Sequence, residues 1–100
     1  MLKTESEIDQ IIKDVLQEAC PDMLFGSDAA AKSQRRNKEA AQHYCERFAN
    51  AMDFGVPYQS EAEAINALAP VAVWFFGWAA RRFAIYVIRL MWRRWHADPA

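Results

Sequence analysis

Apolar residues recur along the first twenty positions at the spacing of a single helical face. Ile8, Ile11, Ile12, Val15, Leu16 and Ala19 fall within about 140° of one another on a helical wheel, and Asp9, Lys13, Asp14, Gln17 and Glu18 lie outside that arc. The pattern predicts a helix over 5–19 with one buried stripe. Thr4 and Glu7 form a T-x-x-E capping box at its start, in which the hydroxyl accepts from the third amide and the carboxylate reaches back. Pro21 should end it, since the residue before a proline is pushed out of the helical region. Met23, Leu24, Phe25 and Gly26 then make a short apolar connector expected to plug the end of a bundle.

A second helix is expected over 28–53, capped by Ser27 or Asp28 and ended before Phe54-Gly55-Val56-Pro57. Its apolar face, Ala40, Ala41, Tyr44, Cys45, Phe48, Ala51 and Met52, is well formed only in the C-terminal half. The N-terminal half offers alanines beside Ser33, Gln34 and Asn37, which suits close packing or projection into solvent. Ser60 and Glu63 form another capping box for a short helix over 61–68 carrying Ala64, Ile65 and Leu68. Pro70 lacks an amide hydrogen and clashes with the preceding turn, so a break or kink is expected near Ala69. The same proline suits the first turn of a last helix over 70–96, roughly 40 Å long and the longest rigid element.

That last segment has two characters. Val71 to Ala80 is apolar on every side, with Trp74, Phe75, Phe76 and Trp78, so a helix there leaves no face for water. Beyond it Phe83, Ala84, Val87, Ile88, Leu90, Met91 and Trp95 share one side, and Arg82, Tyr86, Arg89 and Arg93 gather on the other. Glycine occurs 3 times and proline 4 times, and β-branched residues are sparse before the last third. The expected fold class is all-α: a small bundle of about three to four helices with the long C-terminal helix at its centre. A chain of 100 residues supports one domain and one core. The apolar girdle exceeds what the remaining helices can cover, so a homo-oligomer or protein partner is expected at Val71, Trp74, Phe75, Trp78, Phe83, Val87 and Met91.

Charge alters this picture at one end of the chain. Residues 1–63 carry twelve acids against seven bases, whereas residues 64–97 carry five arginines and no acid. Guanidinium forks bind phosphates and aromatic rings stack on bases, so Arg82, Tyr86, Arg89 and Arg93 could receive a nucleotide or nucleic acid. The plainer account pairs these arginines with acids of the first helix, such as Asp14 or Glu18. The stretch from Leu68 to Trp92 is long enough to span ~30 Å of hydrocarbon, but Arg81 and Arg82 sit near its middle, at about 2.5 to 3.5 kcal/mol for each. A lone membrane span is therefore disfavoured, and membrane contact is expected only as an interfacial helix or with the arginines facing a partner.

Little else in the chain suggests chemistry. Glu39, His43 and Glu46 share a helix face, yet Lys32, Arg35, Arg36, Arg47 and Asn50 occupy the same stripe, which describes a solvated face with ion pairs. His43 and Cys45 point about 200° apart, so they cannot pair, and Cys20 has no adjacent cation to lower its pKa. No G-x-S-x-G, glycine-rich phosphate loop, C-x-x-C or H-E-x-x-H occurs. Neither cofactor nor metal is expected, and both thiols are expected to be structural. The charged start, MLKTESEIDQ, is unlike a secretory signal, which makes the cytoplasm the expected compartment. The combination resembles compact adaptor, inhibitor, assembly and virion-associated proteins as a class, a resemblance that gives no residue a role. The expected function is non-enzymatic binding through a composite surface.

Overall fold

The computed structural model describes residues 3–20, 28–53 and 58–97, with side chains throughout except at 28–34 and 79. The expected connector at 23–26, the Ser27 cap, the 54–57 stop and the end of the C-terminal tail lie outside the described residues, as does the alanine-rich face of 28–34. The described elements are all helical: α1 (Glu5–Ala19), α2 (Asp28–Asp53), α3 (Glu61–Leu68), α4 (Ala72–Phe76) and α5 (Arg81–Trp95). Single turns of 3-10 helix, Ala69–Val71 and Trp78–Ala80, precede α4 and α5. The fold is an all-α bundle.

Both capping signals set helix starts. Thr4 is extended, and its Oγ1 accepts from the Glu7 amide at 3.2 Å. The reciprocal half differs from the expected box, because the Glu7 carboxylate accepts from the Thr4 hydroxyl at 3.1 Å instead of returning to the cap's amide. At α3 the Ser60 hydroxyl accepts from the Glu63 amide at 3.1 Å, and the Glu63 carboxylate accepts from the Gln59 amide at 2.9 Å, one residue before the cap.

α5 is the spine, packed on α1, α2 and α3. It turns Ala84, Val87, Ile88, Leu90 and Met91 inward, against Ile12, Val15 and Leu16 of α1, Ala41, Tyr44, Cys45, Phe48 and Ala49 of α2, and Ala64 and Leu68 of α3. Fully burying a side chain the size of Phe48, Ile88 or Met91 contributes about 1.5 to 3 kcal/mol. The molecule measures 45 × 30 × 18 Å, and its thinnest dimension is about two helix diameters.

The long C-terminal helix requires a correction. The chain does not run as one helix over 70–96: it stays right-handed helical through Leu68, Ala69, Val71 and Ala72 and breaks at Gly77, where φ is 87° and ψ is 175°. Pro70 only tightens the helix to 3-10, with the Ala72 amide donating to the Ala69 carbonyl. The Leu68 carbonyl, which a regular α-helix would direct at the amide of residue 72, accepts from the Tyr44 hydroxyl of α2. Aromatic packing explains the place of the break. In a straight helix residues 76 and 83 stand roughly 10 Å apart along the axis. The turn at Gly77 brings the Phe76 and Phe83 rings to 5.3 Å, edge to face, and sets Phe75 and Phe76 at 5.7 and 5.5 Å from Tyr44. Folding back thus covers much of the apolar girdle from within the chain.

Candidate functional site

What the fold leaves uncovered lies on either side of the break. Trp74 and Trp78 are 87% and 88% exposed, although Ala72 between the helices is buried and Phe75 and Phe76 are half-buried against the core. The expectation that the stretch 71–80 has no face for water is overturned here: Gly77 and both indoles face solvent. Phe75 and Phe76 pack on Tyr44, Phe76 also meets Phe83 across the break, and the two tryptophans stay outside these contacts. Gly77 has nothing within 4 Å of where a Cβ would stand, so the conformation, and not space, reserves the position for glycine.

The two tryptophans and Arg81 line a common hollow of about 350 Å³, completed by Ala69, Pro70, Ala72, Val73 and Gly77. Its walls are apolar apart from the guanidinium. Among the described residues Arg81, Arg82 and Arg93 make no ion pair, whereas Arg89 Nε meets Glu61 Oε1 at 3.2 Å and Arg94 meets Glu18 at 3.6 Å. Arg81 and Arg82 also open α5, whose first turn has no side-chain cap and no acid. Two guanidinium charges at the positive end of a helix dipole, without a counter-charge, make this corner strongly cationic.

The residues expected to form one interface are distributed differently. Val87 and Met91 are 1% and 0% exposed and belong to the chain's own core, because the turn at Gly77 lets α5 bury that face against α1, α2 and α3. Phe83 packs on Phe76. Val71 and Phe75 border a second, shallower groove of about 610 Å³ with His43, Glu46, Arg47 and Tyr58. Trp74 and Trp78 alone of that set are exposed. The row Arg82, Tyr86, Arg89 and Arg93 does lie outward along α5, but Arg89 is engaged by Glu61. Arg81 lies outside that row; its place directly after the apolar run is the sequence signal that points to it, while its position at a helix start is visible only in the structure.

The remaining candidates are accounted for by their neighbours. His43 Nδ1 lies 3.5 Å from Glu46, both partly exposed, and Gln42 donates to the same glutamate at 3.3 Å. No group of three or more His, Cys, Asp or Glu side chains among the described residues could hold a metal ion. Cys45 is buried, and burial, with the nearby Cys20 and Glu46, pushes its thiol up to about 12. Cys20 is free and half-buried, and burial raises its pKa too, against a smaller opposing effect of Lys38. Among the described residues no helix is long and apolar enough to cross a membrane. The chain matches no protein-family model, no curated protein and no solved structure.

Proposed function

We propose that this is a non-enzymatic binding protein whose contact surface is the bend at Gly77, with Trp74 and Trp78 as anchors and Arg81 at the rim. The observation that carries the reading is the pair of almost fully exposed indoles: among the described residues the next most exposed large apolar side chain is Tyr86, at 44%, and the rest are buried wholly or in large part. Tryptophan and arginine are the residue types that most often dominate binding energy, and an apolar hollow with one charged group is the usual form of a small recognition site. The bend also uses a backbone conformation that is costly for any residue but glycine, so the indoles are presented by a fixed turn and not by a loose tail.

A second copy of the chain fits this surface poorly. A two-fold contact through the bend would set Arg81 and Arg82 of one copy against the same residues of the other, with no acid in α5 to separate them. A head-to-tail contact would build a ring where its rotation closes and an open filament where it does not. The homo-oligomer expected from the apolar girdle also loses part of its motive, since Phe75, Phe76 and Phe83 find cover inside the chain. An external partner for the bend is the better-supported form of binding.

The reading is tested with 1-anilinonaphthalene-8-sulfonate, which combines an apolar body with one anionic group. Its fluorescence should rise on the folded wild-type protein and should not rise on Trp74→Ser/Trp78→Ser of equal helicity. A folded wild-type protein that leaves the dye dark, or a double variant that brightens it equally, would overturn the proposal. Absolute mass in solution for both proteins checks self-association: equal masses are expected.

A further inference from the structure

The hollow at the bend has an apolar lining, two projecting indoles and one guanidinium, so it suits a ligand with an apolar body and an anionic head. Two observations narrow the class. First, two adjacent arginines without an ion pair among the described residues open α5, whereas the cations at its other end stand among acids. Arg94 pairs with Glu18 at 3.6 Å and Lys3 Nζ stands 5.5 Å over the Trp95 ring, so both ends of α1 reach the C-terminal end of α5. α1 carries Glu5, Glu7, Asp9, Asp14 and Glu18 against Lys13, and Lys3, Arg93 and Arg94 stand at the same end, so the charges there largely balance. Arg81 and Arg82 lie at the other end of α5, roughly 20 Å away along the axis. An extended negative surface would therefore attract the bend, where Arg81 and Arg82 have no acid beside them on α5.

Second, the indoles are 87% and 88% exposed and line the same hollow as Arg81. A protein partner would have to supply a matched socket for each ring. The interfacial layer of a bilayer accepts both without complementary shape, and tryptophan, with an apolar body and an N–H, is at its most favourable there. Arg81 and Arg82 would then stand at headgroup depth, beside lipid phosphates.

Building on the binding surface assigned above, we infer that the bend formed by Trp74, Gly77, Trp78, Arg81 and Arg82 docks peripherally on a bilayer containing anionic phospholipid. The indoles enter the headgroup and upper acyl region to a depth of about 5 to 10 Å, and the arginines neutralise headgroups. The contact is superficial.

The test is sedimentation with vesicles of equimolar phosphatidylserine and phosphatidylcholine, and with vesicles of phosphatidylcholine alone. Wild-type protein should bind the mixed vesicles and bind the neutral ones far more weakly. Trp74→Ser/Trp78→Ser should bind the mixed vesicles at least about tenfold more weakly. Arg81→Gln/Arg82→Gln should lose about fivefold for each arginine on mixed vesicles, with no change on neutral ones. Lipids brominated on the acyl chain should quench wild-type tryptophan fluorescence and leave that of the double tryptophan variant unaffected. A folded wild-type protein that stays in the supernatant overturns the inference, as does vesicle binding that persists in the tryptophan variant. If vesicles fail while dye binding still depends on the tryptophans, the lipid assignment falls and the binding surface stands; if both fail, both fall. Tryptophan-dependent binding of a labelled Glu-Glu-Leu-Phe-Glu-Glu peptide without vesicle binding would assign the bend to an acidic protein. A fall in mass on tryptophan substitution would assign it to a second copy, and either result overturns the lipid docking.

Discussion

At residue scale the chemistry of the core is concentrated in Tyr44 and Cys45, adjacent on α2 and both buried. Burial raises both, the thiol from 9.0 to about 12 and the phenol also upward, with the cysteine adding to the rise in the tyrosine. In the unfolded chain these groups ionise near their ordinary values, so the folded state holds their protons more tightly. The stabilisation is complete below about pH 9 and is lost as the pH climbs towards the folded-state pKa. Melting temperature should therefore be level to about pH 8.5 and decline above it, and Cys45→Ala should make that decline shallower; an unchanged slope would show that the thiol does not couple to folding. Tyr44 has a separate structural role, because its hydroxyl donates to the Leu68 carbonyl left open by the 3-10 turn. Tyr44→Phe should cost about 1 kcal/mol in urea unfolding, with the rings of Phe75 and Phe76 retained against it.

At the scale of elements, the two breakers in the C-terminal half act in opposite ways to their reputations. Pro70 sits where the chain remains right-handed helical on both sides, so Pro70→Ala should shift stability by less than about 1 kcal/mol. Gly77 holds the reversal, and Gly77→Ala should cost about 1 to 3 kcal/mol, or else straighten α4 into α5 and pull Phe76 from Phe83, visible as altered near-ultraviolet circular dichroism. A glycine variant as stable as wild type with an unchanged spectrum would contradict the strained turn. This contrast marks what the sequence makes legible. Faces of α1, α2 and α5 follow from periodicity, and Ile12, Val15, Phe48, Val87 and Met91 are buried as their spacing requires. Glu18 meets an arginine of α5 as expected, but the arginine is Arg94, outside the expected row, and Arg89 of that row meets Glu61 of α3 instead. The break does not follow, because a glycine within an apolar run reads as tolerated in a helix, and what accompanies its unusual conformation is contact among Phe76, Phe83 and Tyr44, residues that a continuous helix holds apart along its axis or that lie on another helix. That Trp74 and Trp78, alone of the residues expected at a partner interface, stay exposed is not legible for the same reason: periodicity assigns a side chain to a face only while the helix continues.

For the whole molecule, α5 as spine implies that stability and binding are separable by substitution. Met91 is fully enclosed where α5 packs among the other helices, and removing its side chain leaves a cavity that three packed neighbours cannot easily close. Met91→Ala should lose about 2 to 5 kcal/mol, a large part of the roughly 5 to 15 kcal/mol expected for a domain of this size. Trp74→Ser/Trp78→Ser removes far more apolar surface, but surface that is already in water, so it should stay within about 0.5 kcal/mol of wild type. Urea unfolding of the three proteins checks both values, with equal denaturant slopes if each unfolds as one unit. Should the double tryptophan variant instead prove as damaging as Met91→Ala, the indoles would be part of the fold and not its contact surface. Should it match wild type, two large aromatic side chains contribute nothing to holding the chain together, and the reason for their presence lies in what they touch outside it.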